Sequence, residues 1–323
     1  MTEKRDIQRG CAFGGGGPFE RFPRFACAYA EALAAKCPGF AAQVEPDPRE
    51  LEEDGYGPAP FGEEGEAAGC RGLKQRFPDR VLVMASDSCF MNCRHCTRKG
   101  LLRSAEVVRS DEDLQTCLSY VQDHPLVRDV LISGGDPLVL TDDEVMRFVD
   151  AFAGMEQIDV VRLCTRAPCA NPRRVTRQLA DALGRSGKVW VNTQFNCAGE
   201  VTPEAAEACS RLVRAGVPVS CQTVLLAGVN DSADKMLELF RALQRARVRP
   251  YYVFACDPVA GVSHFRVPME KARRIERECA ARIGGLGLPR FVADLPGADR
   301  KTPISECRGA GPSAMQMTKG ENT

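Results

Sequence analysis

Three cysteines, Cys89, Cys93 and Cys96, stand in the run SDSCFMNCRHCTR (86–98) with the spacing C-x3-C-x2-C. Thiolates this close can each hold one iron of a [4Fe–4S] cluster, and no fourth cysteine follows at ligand spacing. One iron is then left for a ligand that is not protein. Such an iron can chelate a small molecule and pass it a single electron, which is radical chemistry. Two plainer readings stay open. Structural zinc takes four ligands, commonly as two C-x2-C pairs, and His95 lies inside the triplet while His124 and His264 are remote from it. Free cysteines are also common as small buried apolar residues.

Two other stretches carry residue types suited to a site. Ser133-Gly134-Gly135-Asp136 puts paired glycines beside an acid. Glycines let the backbone come close to a ligand, because no Cβ stands in the way. Asp136 can accept from an ammonium group or simply fix a tight turn. Later in the chain, DLPGADRKTP (294–303) presents Lys301 after a loop rich in Gly and Pro. Lysine forms imines with carbonyl cofactors such as pyridoxal 5′-phosphate (PLP). Most lysines are nevertheless solvated surface cations, so position alone does not decide.

To hold such groups together the chain must build a frame, and its rhythm from residue 80 onward supplies one. Short apolar runs rich in β-branched residues predict strands at 80–85, 129–133, 160–165, 189–193, 219–225, 251–256 and 291–293. Helical patterns fall between them at 111–122, 142–153, 173–184, 202–215, 231–246 and 268–283. Capping signals open several of these, at Ser110, Thr141 and Thr202. Alternation at these lengths implies an α/β class with parallel strands joined by right-handed crossovers. The near-continuous apolarity of the strands fits a barrel or partial barrel, and an open doubly wound sheet shares the pattern. No G-x-G-x-x-G follows the first strand, so a dinucleotide fold has no support. In such barrels chemistry gathers at the C-terminal ends of the strands. The cysteine triplet starts there, and Cys169, Cys197 and Cys256 follow later strands.

Residues 1–75 differ from the rest. Glycines at 14–17 precede Pro18, 27–36 reads as a short Ala-rich helix, and 45–66 is acidic and rich in Pro and Gly. This predicts an irregular, partly helical extension over 1–75, wrapped on the barrel or left as a disordered arm. The barrel then spans 76–304 and a tail 305–323. Lys+Arg and Asp+Glu each total 43, for a net charge of +0, so no basic stripe points to nucleic acid. No apolar run reaches the roughly eighteen residues of a membrane span, and no apolar signal core opens the chain. The expectation is a cytoplasmic protein without nucleic-acid or membrane partners, most of its 16 cysteines being free thiols in a reducing compartment.

Taken together, these stretches resemble the radical S-adenosylmethionine (SAM) enzymes, and among them the lysine 2,3-aminomutase family. The likeness rests on RFPDRVL (76–82), the cysteine run, SGGD (133–136), TRAP (165–168), VWVNTQFN (189–196) and QTVLLAGVND (222–231). It continues through RPYY (249–252), Cys256-Asp257 with HFR (264–266), and 294–303, in order across about residues 70–304. The resemblance implies a radical SAM partial (β/α)6-type barrel. It implies that Cys89, Cys93 and Cys96 hold a [4Fe–4S] cluster whose open iron takes SAM, which Ser133, Gly134, Gly135 and Asp136 help to bind. It implies that Lys301 is the catalytic lysine joined covalently to PLP, with Arg76 and Arg80 on the phosphate and Gln222 near the ring. Guanidinium groups suit that phosphate.

The resemblance further implies that Arg98 clamps the substrate carboxylate, while Asp257 and Asp294 receive the far amino group of a lysine side chain. Two acids at one site repel unless a cation joins them, which favours a basic amino acid over glutamate. A salt bridge of its own for each acid is the plainer alternative. The implied reaction is a 2,3-aminomutation. A radical made from SAM takes a β-hydrogen, the α-amino group moves to the β-carbon, and the hydrogen returns. An electron donor such as flavodoxin or ferredoxin is the implied partner.

The chain departs from the longer bacterial members in places. Ser232 stands where they carry an internal zinc ligand, which leaves any homo-oligomer to contacts other than an intersubunit zinc. Gln194 and Cys197 replace histidines common in that stretch, and Cys256 replaces a Gln beside Asp257. The cysteine loop continues Thr97-Arg98-Lys99-Gly100, closer to the free amino acid mutases than to the β-lysine enzyme that serves elongation factor P. L-lysine is the expected substrate, with arginine or ornithine, a radical SAM enzyme without PLP, and a non-catalytic zinc-bound scaffold as alternatives.

Overall fold

Local chemistry fixes where the elements start. In the computed structural model, which describes residues 27–52, 55–57, 67, 69–98, 107–295 and 297–307, two short helices come first, α1 (Ala28–Ala34) and α2 (Pro38–Ala41). Strands β1 (Leu73–Phe77) and β2 (Arg80–Ser86) follow, and then α3 (Asp111–Asp123), opened by a reciprocal Ser110–Asp113 cap. Next come β3 (Asp129–Gly134) and α4 (Asp142–Ala153), the latter opened by the matching Thr141–Glu144 cap. The glycine run at 14–17 and the tail beyond 307 lie outside the described residues.

After β4 (Val160–Cys164) comes the short helix α5 (Ala167–Ala170), and then a 3-10 turn over Pro172–Arg174. The helix expected from 173 therefore begins later, as α6 (Arg177–Arg185), once the Thr176 hydroxyl accepts from the Leu179 amide. The remaining elements are β5 (Val189–Thr193), α7 (Pro203–Arg214), β6 (Val219–Leu225), α8 (Ala233–Arg245), β7 (Arg249–Ala255), α9 (Met269–Ala280), β8 (Arg290–Ala293) and β9 (Thr302–Pro303).

The strands form one sheet in the order β1 through β9. Strands β2 to β8 are parallel, while β1 and β9 add antiparallel edges. Six β/α units plus one strand is the partial-barrel arrangement, open rather than closed by hydrogen bonds. The two antiparallel edges were not expected from the sequence. β1 starts at Leu73 and so straddles residue 75.

Valine and isoleucine at Val81, Val83, Val130, Ile132, Val161 and Val191 are buried in the sheet, and the helices cover them with Phe148, Phe152, Leu183 and Phe240. Each such side chain contributes about 1.5–3 kcal/mol by leaving water. The strands are thereby held rigid where their ends must carry polar groups. No helix among the described residues is long and apolar enough to cross a membrane.

The sheet's open edges are joined by side chains. Arg76 on β1 places Nη1 2.6 Å from Asp294 Oδ1 and Nη2 2.6 Å from the Leu295 carbonyl, beyond the end of β8. Lys301 lies over the rings of Phe77 and Phe254. A seam of charge therefore closes what backbone pairing leaves open.

Candidate active site

The cysteine loop leaves β2 and is gripped from outside by the segment that contains α1 and α2. The Arg94 amide donates to the Gln43 carbonyl at 2.7 Å, and its guanidinium pairs with Glu50 at 2.5 and 2.8 Å. Both groups of that ion pair are buried, so it is held firmly. Tyr29 and Thr202 hydroxyls meet at 2.7 Å and the Cys27 thiol donates to the Ala170 carbonyl, which fastens the same segment to the barrel. Cys27, Tyr29, Gln43 and Glu50 thus each touch the barrel or its cysteine loop.

Donors point at the sulfurs of Cys93 and Cys96. Arg166 Nη1 lies 3.0 Å from Cys93 Sγ, and the Arg98 amide 3.4 Å from Cys96 Sγ. N–H groups aimed at sulfur suit thiolates rather than thiols, as a cluster requires. Burial pushes the free Cys89 thiol well up. Among the described residues no three His, Cys, Asp or Glu side chains converge on the position of a single metal ion. The thiolates of a [4Fe–4S] cluster each bind a different iron and need not converge on a point.

The Gly134-Gly135 pair allows a close backbone approach to the cysteine loop. Gly134 has φ +117°, and a Cβ on it would lie 2.1 Å from the Ser86 carbonyl oxygen. A Cβ on Gly135 would lie 2.1 Å from the Ser88 oxygen. The Gly135 and Asp136 amides donate to those carbonyls at 2.7 and 2.8 Å. The glycines thus seat the cysteine loop against the end of β3.

Asp136 is almost fully buried and accepts from Thr165 Oγ1 at 2.7 Å, the Leu138 amide at 2.9 Å and the Arg166 amide at 2.7 Å. It fixes the turn and ties β3 to the end of β4. Burial pushes its carboxyl up to about 6 against these three donors. Ser133 is buried on β3 just before the turn.

Behind the loop sits a polar node that the sequence did not announce. Arg166 Nη2 is 2.9 Å from Glu200 Oε2, and Glu200 is completely buried. Glu200 also accepts from Gln43 Nε2 at 2.6 Å, the Asn196 amide at 3.1 Å and the Cys169 thiol at 3.3 Å. Asn196 Nδ2 reaches Gln43 Oε1 at 2.8 Å, and both Asn196 and Gln194 lie within hydrogen-bond distance of His95. Cys197 donates to Glu200 Oε1 at 3.4 Å and stands 3.6 Å from Cys37. That contact lowers the Cys37 thiol to about 7 and raises Cys197. Cys169 and Cys197 thus lie beside the cysteine loop's anchor, whereas Cys256 packs in a separate apolar cluster with Leu226 and Val262. Arg166 follows a strand end inside TRAP, a signal that could have been weighed. Gln43 and Glu200 carry none.

At the seam, Lys301 Nζ donates to Asp294 Oδ2, and Asp294 Oδ1 takes Arg76. Arg80 opens β2 at the end opposite the cysteine loop, stacks 4.1 Å over the Phe77 ring and pairs with Asp79 at 3.1 Å. Arg76, Arg80, Phe77, Asp294 and Lys301 are therefore neighbours. Asp257 follows β7, which pairs with β8, so the two acids lie beyond the same ends of adjacent parallel strands. Gln222 is half-buried on β6, opposite Tyr252. Arg98 lies close enough to Cys164, at the end of β4, to oppose the burial that raises that thiol to about 11. The residues resolve into two groups, sulfurs with Arg98 and cations with Asp294.

A radical SAM superfamily model matches residues 83–240. The chain is 41% identical to the putative L-lysine 2,3-aminomutase of Aquifex aeolicus, over 75% of this chain and 65% of that protein. It is 32% identical to the putative L-lysine 2,3-aminomutase of Treponema pallidum, over 87% of this chain and 79% of that one. The glutamate 2,3-aminomutase of Clostridioides difficile is 34% identical, over 79% and 60%. The chain spans less than two thirds of the length of the Aquifex relative. Among solved structures, SuiB of Streptococcus suis bound to S-adenosylmethionine superposes with a TM-score of 0.51 at 15% identity, over 68% of this chain and 51% of that one, a likeness of fold.

Proposed function

Because the chain belongs to the lysine 2,3-aminomutase family of radical SAM proteins, we propose that it is a PLP-dependent 2,3-aminomutase acting on a basic L-amino acid, with L-lysine first. The observation that carries this reading is the meeting of Lys301 and Asp294 with Arg76, 218 residues earlier than Asp294, across the barrel seam. When bound, the cluster with SAM supplies a carbon radical that removes and returns hydrogen, and PLP carries the migrating nitrogen.

The chain's own residues supply holding and placement. Cys89, Cys93 and Cys96 hold the cluster, with Ser133, Gly134, Gly135 and Asp136 helping to bind SAM. Lys301 presents its amine at the seam, Arg76 and Arg80 offer guanidinium donors to a phosphate, and Gln222 faces the ring. Arg98 orients the substrate carboxylate. Asp294 and Asp257 accept the far ammonium group. A glutamate substrate would bring a further carboxylate to these two acids, which like-charge repulsion opposes. A one-electron donor of the flavodoxin or ferredoxin kind reduces the cluster.

The test is anaerobic incubation of the reconstituted chain with SAM, PLP, dithionite and, separately, lysine, arginine, ornithine or glutamate. A β-amino product from lysine by mass is the expected result. Deoxyadenosine without any β-amino product would overturn the aminomutase reading.

A further inference from the structure

We propose that Arg166, clamped by Glu200, is a positioning residue that sets how readily the cluster accepts its electron. The inference rests on the reading that Cys89, Cys93 and Cys96 hold a [4Fe–4S] cluster, and it concerns residues with no assigned role in that reading.

Arg166 Nη1 lies 3.0 Å from Cys93 Sγ. The guanidinium is nearly buried and its other terminal nitrogen, Nη2, is committed, at 2.9 Å, to a carboxylate with no exposure at all. Glu200 cannot swing away, because Gln43, the Asn196 amide and the Cys169 thiol also donate to it. The Arg166 amide is pinned as well, by Asp136. Two acids thus fix one arginine, backbone and side chain, against one sulfur.

A buried ion pair is weak evidence of stability, since desolvation offsets much of the attraction. Its geometry here has a different consequence. Reduction adds one electron and no proton to the cluster, so the negative charge at the sulfurs grows by one. A fixed guanidinium beside Cys93 stabilises that added charge, and hydrogen bonds to cluster sulfurs are a recognised means of moving the potential. Glu200 opposes it, offsetting part of the positive charge at the cluster while holding the donor in place. Removing the two charges must therefore move the potential in opposite directions. A purely structural pair has no such signature.

The experiment uses the full chain reconstituted anaerobically with iron and sulfide, without SAM, and follows the reduced cluster by EPR during a dithionite titration. At the wild-type midpoint Arg166→Gln is expected to hold about tenfold less reduced cluster relative to oxidised, a shift of about 59 mV for one electron. Glu200→Gln is expected to shift the midpoint the other way. Arg166→Lys keeps the charge but not the fork, and is expected to fall between wild type and Arg166→Gln. Should Arg166→Gln fail to retain iron, the Arg166→Lys and Glu200→Gln pair decides. Midpoints unchanged, or moved in the same direction for both charges, overturn the proposal while leaving the cluster in place. A wild-type chain that binds no iron and sulfide removes the cluster reading itself, and this proposal with it.

Discussion

The node around Arg166 and the seam around Lys301 are built from the same kinds of side chain, yet they commit those side chains to different degrees. At the node the ion pair is 9% and 0% exposed at Arg166 and Glu200, and the carboxylate is held by further buried donors. At the seam Asp294 is 11% exposed, Arg76 21% and Lys301 25%, and two long cations share one carboxylate. The first arrangement is held from several buried sides at once. The second can be exchanged, cation for cation, as a site that must take up charged molecules requires. Rigidity belongs to the side where an electron arrives, and replaceable pairing to the side where chemistry on an amino acid is proposed.

The largest expected effect lies at the seam. Lys301→Ala should lower formation of β-amino product on the order of ten-thousand-fold, roughly 5 kcal/mol in barrier. It should also abolish the visible absorbance of covalently held PLP, with the melting temperature of the cofactor-free chain little changed. Retained absorbance would mean that another lysine holds the cofactor.

Next comes the node, where stability rather than turnover is at stake. Glu200→Ala leaves a buried guanidinium without its counter-charge and should destabilise the chain by about 3–5 kcal/mol in denaturant unfolding. Asp294→Ala should cost less than about 2 kcal/mol, because its partners can turn to water. Equal losses at the two sites would dissolve the contrast between them.

A pH-dependent effect on stability should arise in the frame. The Asp136 carboxyl is raised to about 6 from an ordinary 3.8, so the folded chain binds that proton more tightly than the unfolded one. Its contribution to stability is then fully present below about pH 4 and is lost as pH rises through 6, on the order of 3 kcal/mol. Asp136→Asn should flatten that part of the stability–pH curve, and an unchanged slope would show that the three donors, not burial, govern the group.

The smallest effect concerns substrate choice. Asp294→Asn should raise the KM for lysine about tenfold, near 1.4 kcal/mol, without a comparable penalty for glutamate.

Much of the frame was legible because its signals are local. The 142–153 helix and the 189–193 and 219–225 strands coincide with α4, β5 and β6, where apolar period and caps agree. β1 was missed because Leu73-Lys-Gln-Arg-Phe77 is polar at its centre, as an edge strand can be. β9 has two residues and no period to read. The late start of α6 reflects Pro172 and Asn171, which hold the chain in a tighter turn before Thr176 can cap a helix.

At the site, Lys301, Asp294 and Arg76 were singled out by residue type and family likeness, and their convergence is a tertiary fact that no spacing encodes. Glu200 and Gln43 were invisible for the same reason, being 157 residues apart and meaningful only in contact. The glycine pair was legible as a close approach, but the neighbouring cysteine loop it seats was not.

The segment that grips the cysteine loop also imposes an order of assembly. Residues 27–50 leave the ribosome before every strand of the sheet, yet their anchors at Ala170, Glu200 and Thr202 are made far later. Arg76 must wait longer still for Asp294. Contacts of such long sequence separation are slow to form. The earliest-made part of the described chain can meet the cysteine loop through Gln43 and Glu50 early, but its fastening to the barrel waits until residues 170–202 have been made.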